Sequence, residues 1–399
     1  MNLQITRAIS KRQHTGRGVL CAGLSLWLAS CGGGSGGETT NPIKPEVTPW
    51  QWTLPTGWSP PVVPTDNPMS QSKVQLGRQL FYEPRLSGNG ALACSGCHDQ
   101  SSAFTDNRAL SRGATGQVHP RNAQALTNVA YNTSFNWARP DVRTLEAQMQ
   151  APLFNTTPVE MGVNDSNRQA VLTRLKNDAN YPPLFAQAFP ESTDPITWEN
   201  VIKAIASFER TLISASSRYD LALAGQATLT DTEERGRQLF FGSRALCAQC
   251  HGSPNFNNQF VDSTSNGITL TFHNTGLFNI GGTGAYPAPN RGVFEVTELT
   301  QDMGRFRAPS LRNVALTAPY MHDGSIGSLQ EVLATYAAGG RNVGNGLYAG
   351  DGRANPFKDP LISAIELSAQ DQLDLAAFLQ TLTDDTFVSN PDWAAPGAP

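Results

Sequence analysis

Residues 77–98 read GRQLFYEPRLSGNGALACSGCH and residues 236–251 read GRQLFFGSRALCAQCH, so the chain contains nearly the same phrase twice. Each copy ends in Cys-x-x-Cys-His, the c-type haem attachment pattern, in which two thiols bond to the porphyrin and the imidazole binds iron. The motif residues are Cys94, Cys97 and His98, then Cys247, Cys250 and His251. A thioredoxin-like redox pair and half of a zinc site share the cysteine spacing. The duplication, the trailing histidines and an export signal favour two covalently bound haem c groups.

The repeat also predicts the domain organisation. Each GRQLF follows a helical-looking stretch, and apolar residues recur with helical spacing at 197–214, with Thr197 as N-cap, and at 367–383. Residues 252–312 are rich in Gly, Asn, Thr and Pro, which predicts long loops. We therefore expect a mainly α protein with two tandem cytochrome c-type haem domains. The expected segments are a signal peptide at 1–31, an extended tether at 32–68, and haem domains at 69–224 and 225–390.

The N-terminal residues predict export. Basic residues precede a short apolar run that ends in Leu28-Ala29-Ser30-Cys31, and this arrangement is typical of a secretory signal. The ending resembles a bacterial lipobox, which implies a periplasmic protein held to a membrane by lipidated Cys31, and Gly32 favours the outer membrane. An ordinary cleaved signal is the alternative. Apart from Cys21 and Cys31, all cysteines lie in the haem motifs, and the net charge of −4 gives no indication of nucleic-acid binding.

Further stretches resemble the bacterial dihaem cytochrome c peroxidase and MauG family over nearly the whole mature chain. They are Pro120-Arg121-Asn122, Trp137, Pro152, Val159-Glu160-Met161 and RAPSLRNVALTAPYMHDGS at 307–325. The resemblance implies a second iron ligand for the C-terminal haem, which is Met in electron-fed peroxidases and Tyr in MauG-like enzymes. The matching position is Tyr336. Met303 and Met321 are the rival ligands, and His322 is implied to lie beside this haem without binding iron.

Local sequence around Tyr336 is compatible with this role. Ser328 and Glu331 form a Ser-x-x-Glu capping box, which predicts that a helix begins there. Tyr336 then shares one helix face with apolar residues, and Gly339-Gly340 is a natural end. Considered without the family, the same pattern is compatible with an ordinary core tyrosine.

The N-terminal haem is the reactive one in the family. The resemblance implies that Glu160 and Gln148 stand over its open face, where a carboxylate can move a proton between the peroxide oxygens. Electron-fed peroxidases also carry a movable histidine that closes this face, and the matching residue here is Ala114. We therefore expect an open site, with His119 as an alternative ligand of the first haem.

Three more expectations come from the resemblance. Trp137 matches the tryptophan that relays electrons between the two haems. Asn122, Thr317 and Pro319 match the ligands of one calcium ion, the last two through their backbone carbonyls. MauG passes oxidising equivalents through a surface tryptophan, and the matching residue here is Ala245, so the exit route must differ.

The resemblance is greatest to MbnH-like members of the family, which act on a partner protein, MbnP. It implies an enzyme that reacts with H2O2, forms a bis-Fe(IV) state and oxidises a tryptophan of the partner to kynurenine. One rival is a peroxide-reducing cytochrome c peroxidase that is fed by a small electron-donor protein. The other rival is a dihaem electron carrier without enzymatic activity.

Overall fold

The structure, a computed structural model of the chain, describes residues 47–363 and 365–397. The signal peptide, Cys31 and the first part of the tether lie outside the described residues. The helices are α1 (Gln71–Phe81), α2 (Leu145–Phe154), α3 (Arg168–Lys176), α4 (Tyr181–Ala188), α5 (Trp198–Glu209), α6 (Arg218–Leu223), α7 (Asp231–Phe241), α8 (Phe294–Thr297), α9 (Leu329–Ala337), α10 (Pro360–Ser363), α11 (Ala369–Gln380) and α12 (Asp385–Ser389). Two short antiparallel strands, β1 (Asn342–Val343) and β2 (Gly350–Asp351), pair with each other. The mainly α class is confirmed.

The glycine of each GRQLF lies where two helices cross. A Cβ atom on Gly77 of α1 would stand 2.0 Å from the carbonyl oxygen of Ala204 in α5. A Cβ atom on Gly236 of α7 would stand 1.9 Å from the carbonyl oxygen of Asp374 in α11. Only a residue without a side chain lets two backbones approach this closely. The two halves of the chain are therefore built around the same pair of crossed helices.

Phenylalanine rings fill the space around each crossed pair. The first cluster contains Phe81, Phe104 and Phe208, and the second contains Phe240, Phe256 and Phe378, all with 1% exposure or less. The rings contact one another mostly edge-on or tilted, as aromatic pairs prefer. Each cluster borders its own haem motif, because Phe104 and Phe256 follow the motif histidines by a few residues.

An asparagine ends the second helix of the first pair. Asn128 has the left-handed φ of +53°, which asparagine tolerates better than most residues. Its backbone N–H donates to the carbonyl of Leu212 at 2.9 Å, and its side-chain amide forms two hydrogen bonds with the backbone of Ser214. These contacts hold the chain after α5 in a non-helical path. The helix expected over 197–214, with its N-cap at Thr197, therefore begins as expected but stops at Glu209.

In the second pair of crossed helices, Asn313 makes similar contacts. Asn313 has a φ of +61°, its N–H donates to the carbonyl of Leu382 at 3.0 Å, and its side-chain oxygen accepts from the N–H of Asp384 at 2.8 Å. The helix expected over 367–383 accordingly ends at Gln380. Both asparagines stand in an L-x-N-V-A sequence, so this is a second internal repeat.

Contacts between the halves join them into one unit. Trp137 packs with Phe306 and Tyr286 in a third apolar cluster. Phe387 of α12, which the sequence placed in the second domain, lies in the first cluster with its ring centroid 5.5 Å from that of Phe104. No helix within residues 47–363 and 365–397 is long and apolar enough to cross a membrane.

We expect the substitution Gly77→Ala to lower the free energy of unfolding by about 1–3 kcal/mol, because the new methyl group forces the crossed backbones apart. Denaturant unfolding followed by circular dichroism measures this. Gly267→Ala is the matched control, since no atom lies within 4 Å of a Cβ placed there. An unchanged unfolding midpoint in Gly77→Ala would show that the crossing tolerates a side chain.

Candidate functional site

The second Cys-x-x-Cys-His motif opens onto a cavity of about 220 Å³. The cavity collects most of the residues that the sequence assigned to the C-terminal haem and to the space between the haems. The expected residues that line it are Cys247, Cys250, His251, Tyr336, Trp137, Asn122, Thr317, Pro319, Met321 and His322. Met303 packs instead on the third apolar cluster. Residues separated by more than 200 positions in the sequence thus meet at one site.

Both motif histidines hold one ring nitrogen against the backbone. Nδ1 of His98 lies 2.9 Å from the carbonyl oxygen of Phe104, and Nδ1 of His251 lies 3.1 Å from those of Phe256 and Pro309. A carbonyl can only accept, so Nδ1 carries the proton and Nε2 keeps its lone pair for a metal. Burial lowers the pKa of both imidazoles, that of His251 to about 4. Each ring is therefore neutral, as iron ligation requires.

Tyr336 reaches the cavity from α9. The capping box expected from the sequence is present: Oγ of Ser328 accepts from the N–H of Glu331 at 3.2 Å, and Glu331 accepts from the N–H of Ser328 at 3.1 Å. Gly339 and Gly340, with φ of +73° and +133°, follow the helix end. The apolar residues on the same face, Leu329, Val332 and Leu333, also line the cavity.

The hydroxyl of Tyr336 makes no hydrogen bond with any residue in the described part of the chain. Burial raises the pKa of this phenol well above its ordinary value, and the neighbouring thiols of Cys250 and Cys247 add to the shift. A phenolate would form here only with a cation at the oxygen, because a buried anion needs a compensating charge. Ferric iron supplies that charge, so the position suits an iron ligand.

Two buried cationic or polar side chains also point to a bound group in this cavity. Arg307 donates from Nη2 to Gln124, but its Nε and Nη1 have no hydrogen-bond partner among the described residues. Burial lowers the pKa of Arg307 to about 10. Nε2 of His322 is buried and equally without a partner, while its ring stacks on Phe306 at 3.7 Å. Unpaired buried donors are costly, and the carboxylates of a haem are suitable acceptors.

Trp137 and Asn122 stand at the boundary between the halves. Nε1 of Trp137 donates to the backbone carbonyl of Asn122 at 2.8 Å. The side-chain nitrogen of Asn122 donates to the carbonyl of Arg108, also at 2.8 Å, and its side-chain oxygen accepts no hydrogen bond from the residues that the structure describes. No group of three or more His, Cys, Asp or Glu residues forms a metal site in the described ranges. The predicted calcium ligands are instead an amide oxygen and the carbonyls of Thr317 and Pro319, which are oxygen ligands of the kind calcium takes.

The first motif has a carboxylate close to it. Burial raises the pKa of Cys97 to about 11, and the negative charges of Asp106 and Glu160 add to the shift, which places Glu160 close to the motif. Oε1 of Gln148 is buried and has no hydrogen-bond partner among the described residues. The structure thus brings Glu160 close to the first motif, whereas the expected place of Gln148 beside this haem stays a prediction.

The structure places Ala114 and His119 on the loop that packs against Glu160. The N–H of Ala114 donates to the backbone carbonyl of Glu160 at 2.6 Å, so the residue at the movable-histidine position has only a methyl group. Nε2 of His119 lies 3.1 Å from Oε1 of Glu160, and its Nδ1 lies 3.0 Å from the carbonyl of Arg121. Both ring nitrogens of His119 thus have hydrogen-bond partners within the protein.

One buried acid was missed by sequence reasoning. Glu209 in α5 is 7% exposed, and burial raises its pKa to about 8 despite the adjacent charge of Arg210. Burial raises the pKa of the Cys94 thiol, and the negative charge of Glu209 adds to this shift. Glu209 therefore lies close to the first haem motif. The signal in the sequence is a carboxylate on the apolar face that also carries Ile202 and Ile205.

Ala245 lies at the position of the exit tryptophan of MauG. It is fully buried, and its carbonyl oxygen lies 3.5 Å from the sulfur of Cys247. The neighbourhood of the second motif therefore offers no surface tryptophan at this point.

The chain resembles several known proteins. Residues 71–228 match the model of the family described as di-haem cytochrome c peroxidase. The methylamine utilization protein MauG of Methylorubrum extorquens is 35% identical over 321 residues, which cover 80% of each chain. The cytochrome-c peroxidase IdrP1 of Denitromonas iodatirespirans is 34% identical over 360 residues, covering 86% of this chain and 90% of the relative.

A solved structure is similar over nearly its whole length. It is that of a MauG-like protein associated with microbial copper homeostasis, with 51% identity, a TM-score of 0.86, and coverage of 87% of this chain and 99% of that one. Together with the motifs and the cavity, these similarities show that this chain belongs to the di-haem cytochrome c peroxidase and MauG family.

Proposed function

We propose that this protein is a MauG-like, MbnH-like enzyme that uses hydrogen peroxide to oxidise tryptophan on a partner protein. Its family already makes it a dihaem oxidoreductase of the peroxidase type, with two haem c groups. Beyond the family, we propose that the substrate is a protein tryptophan, that the first haem reacts with peroxide and that the second haem holds an oxidising equivalent. The observation that carries it is the meeting of His251 and Tyr336 at one cavity.

His251 and Tyr336 together suit a haem that holds an oxidising equivalent. A neutral imidazole and a phenolate would together hold the iron of this haem, which would leave it no place to bind peroxide. An anionic oxygen ligand also favours the more highly oxidised states of iron. Trp137 lines the same cavity and is held by its hydrogen bond to Asn122, which supports this indole as the proposed electron relay between the haems.

Glu160 and Gln148 suit the haem that reacts with peroxide. Haem iron supplies the site where peroxide binds, and the chain supplies the proton transfer. A carboxylate beside the iron can take the proton from one peroxide oxygen and return it to the other. An amide can donate a hydrogen bond to the charge that develops. With Ala114 in place of a movable histidine, the face needs no prior reduction to open.

The first rival, an electron-fed cytochrome c peroxidase, explains fewer features. It shares the family, and relatives such as IdrP1 carry that name. Such a peroxidase would use a methionine ligand at the second haem and a closing histidine at the first. The residues here are Tyr336 and Ala114. The second rival, an electron carrier, leaves Glu160 and Gln148 without a role.

The proposed partner is an MbnP-like protein. A solved structure with 51% identity belongs to a MauG-like protein associated with microbial copper homeostasis, and this supports a partner involved in copper handling. Ala245 is buried, so the partner docks at a place other than the MauG exit tryptophan. We further propose a periplasmic enzyme held to the outer membrane through lipidated Cys31.

Peroxide-dependent modification of purified MbnP tests the proposed function. The holoenzyme, MbnP and hydrogen peroxide are mixed without a reductant, and peptide mass spectrometry follows each tryptophan of MbnP. We expect one tryptophan to gain the mass change of kynurenine. Rapid oxidation of reduced cytochrome c together with unmodified MbnP would support the electron-fed peroxidase instead.

Tyr336→Phe tests the ligand assignment. The substitution removes only the oxygen, so we expect the low-spin signal of the second haem to be lost or strongly shifted in electron paramagnetic resonance and visible spectra. Tyr348→Phe is the matched control, because Tyr348 is exposed and does not line the cavity. A Tyr336→Phe protein with an unchanged low-spin spectrum would exclude this tyrosine as a ligand.

Metal analysis tests the predicted calcium. We expect one calcium per chain in the purified protein and its loss in Asn122→Ala, which removes the amide oxygen. Chelation should also lower the thermal unfolding temperature of the wild type, because a ligand that binds only the folded state stabilises it. Wild-type protein without calcium, or an Asn122→Ala protein that retains it, would exclude the site.

A further inference from the structure

A histidine and a glutamate form a hydrogen-bonded pair on the side of the first haem motif where peroxide is proposed to react. Nε2 of His119 lies 3.1 Å from Oε1 of Glu160. The two side chains are 27% and 32% exposed, so the pair is partly buried but open to solvent. Oε2 of Glu160 makes no hydrogen bond within the described part of the chain. One carboxylate oxygen is therefore held and the other is available to a substrate.

The backbone next to His119 suits either protonation state of its ring. The carbonyl of Arg121 lies 3.0 Å from Nδ1 and can accept a proton from it, while the N–H of Arg121 donates to the same nitrogen at 3.2 Å. A charged ring donates to the carbonyl, and a neutral ring accepts from the N–H. In both states Nε2 keeps its hydrogen and donates to Glu160. The bond that orients the carboxylate thus survives deprotonation of the ring.

The loops that carry the two residues are fastened together. The N–H of Ala114 donates to the carbonyl of Glu160 at 2.6 Å, and the side chain of Gln117 accepts from the N–H of Val159 at 2.8 Å. A Cβ atom on Gly113 would stand 1.9 Å from the carbonyl oxygen of Val159. The close backbone contact leaves the His119–Glu160 pair little freedom to separate.

The charged groups that face His119 are Glu160 and Arg121. Burial alone would lower the pKa of the His119 imidazole, but the hydrogen bond and negative charge of Glu160 outweigh it and raise the pKa above its ordinary value. The positive charge of Arg121 opposes this only in part, and its guanidinium is paired with Glu295 at 2.6 Å. The ring is charged below its raised pKa and neutral above it.

We propose that His119 is a positioning residue that holds Oε1 of Glu160 through its Nε2–H and directs Oε2 towards bound peroxide. The inference rests on the proposed function, because it presumes that peroxide reacts beside Glu160. Glu160 takes the proton from one peroxide oxygen and returns it to the other, which leaves as water when the O–O bond breaks. The two electrons that the cleavage consumes come from the two haems.

The sign of the pH dependence follows from the charge on the ring. A charged His119 attracts the negative charge of the carboxylate and competes with the proton of peroxide for it, so the reaction with peroxide should be slower below the pKa of His119. A neutral His119 keeps the orienting hydrogen bond without the charge. The rate constant with peroxide should therefore rise as the pH passes upward through the raised pKa of this histidine.

His119→Gln and His119→Phe separate orientation from charge. Glutamine can still donate to Glu160 but does not titrate, whereas phenylalanine does neither. In stopped-flow mixing of the holoenzyme with peroxide, we expect His119→Phe to react about tenfold or more slowly than the wild type. We expect His119→Gln to stay within about threefold of the wild-type rate at high pH and to lose the rise with pH. An unchanged second-haem spectrum serves as the folding control.

A spectroscopic readout does not depend on turnover. Carbon monoxide bound to the reduced first haem reports hydrogen bonding on that face through its stretching frequency. We expect this frequency to change with pH in the wild type and to be independent of pH in His119→Gln. His119→Phe at the wild-type rate, or His119→Gln with the wild-type pH dependence in both readouts, would overturn the proposal.

Glu160→Gln distinguishes this failure from failure of the proposed function. If Glu160→Gln reacts slowly with peroxide while His119→Phe reacts normally, Glu160 acts without His119, and only the positioning role is wrong. If Glu160→Gln itself reacts at the wild-type rate, the proton transfer assigned to Glu160 is wrong, and the proposal for His119 is overturned with it.

Discussion

The close crossing of two helices at a glycine is the constraint on which each half of the molecule depends. At Gly77 and at Gly236 the helices approach so closely that any side chain would meet the backbone of the partner. Each of these helices is followed by a haem motif, at Cys94 after α1 and at Cys247 after α7. Asn128 and Asn313 then end the second helix of each pair with the same backbone contacts. The repeat in the sequence is thus a repeat of one structural unit.

The two units differ in what faces the motif histidine. In the second unit, α9 brings a tyrosine hydroxyl into a cavity whose buried Arg307 and His322 lack partners. In the first unit, a loop brings a carboxylate that pairs with His119. One haem site is therefore suited to a second protein ligand, and the other to a small molecule that needs a proton moved. Trp137 packs at the boundary between the two halves.

Local signals in the sequence predicted much of this, and contacts between distant segments account for the rest. The capping box of Ser328 and Glu331 and the end at Gly339 depend on neighbouring residues, so the helix that carries Tyr336 could be predicted. The hydrogen bond between His119 and Glu160 joins residues that are 41 positions apart and lie on two loops without regular structure. No periodic pattern in the sequence could predict this contact. The ends of α5 and α11 were missed for the same reason, because Asn128 and Asn313 act from far away in the sequence. The motif histidines were evident, but their backbone partners were not.

Addition of one equivalent of hydrogen peroxide to the diferric holoenzyme, without any reductant, tests the central claim most directly. Visible, near-infrared and Mössbauer spectra report the oxidation state of both irons. We predict that both irons rise above the ferric state together and persist, with a near-infrared band from charge shared between the haems. No reaction until a reductant is supplied would contradict this and would indicate an electron-fed peroxidase whose peroxide site is closed at rest.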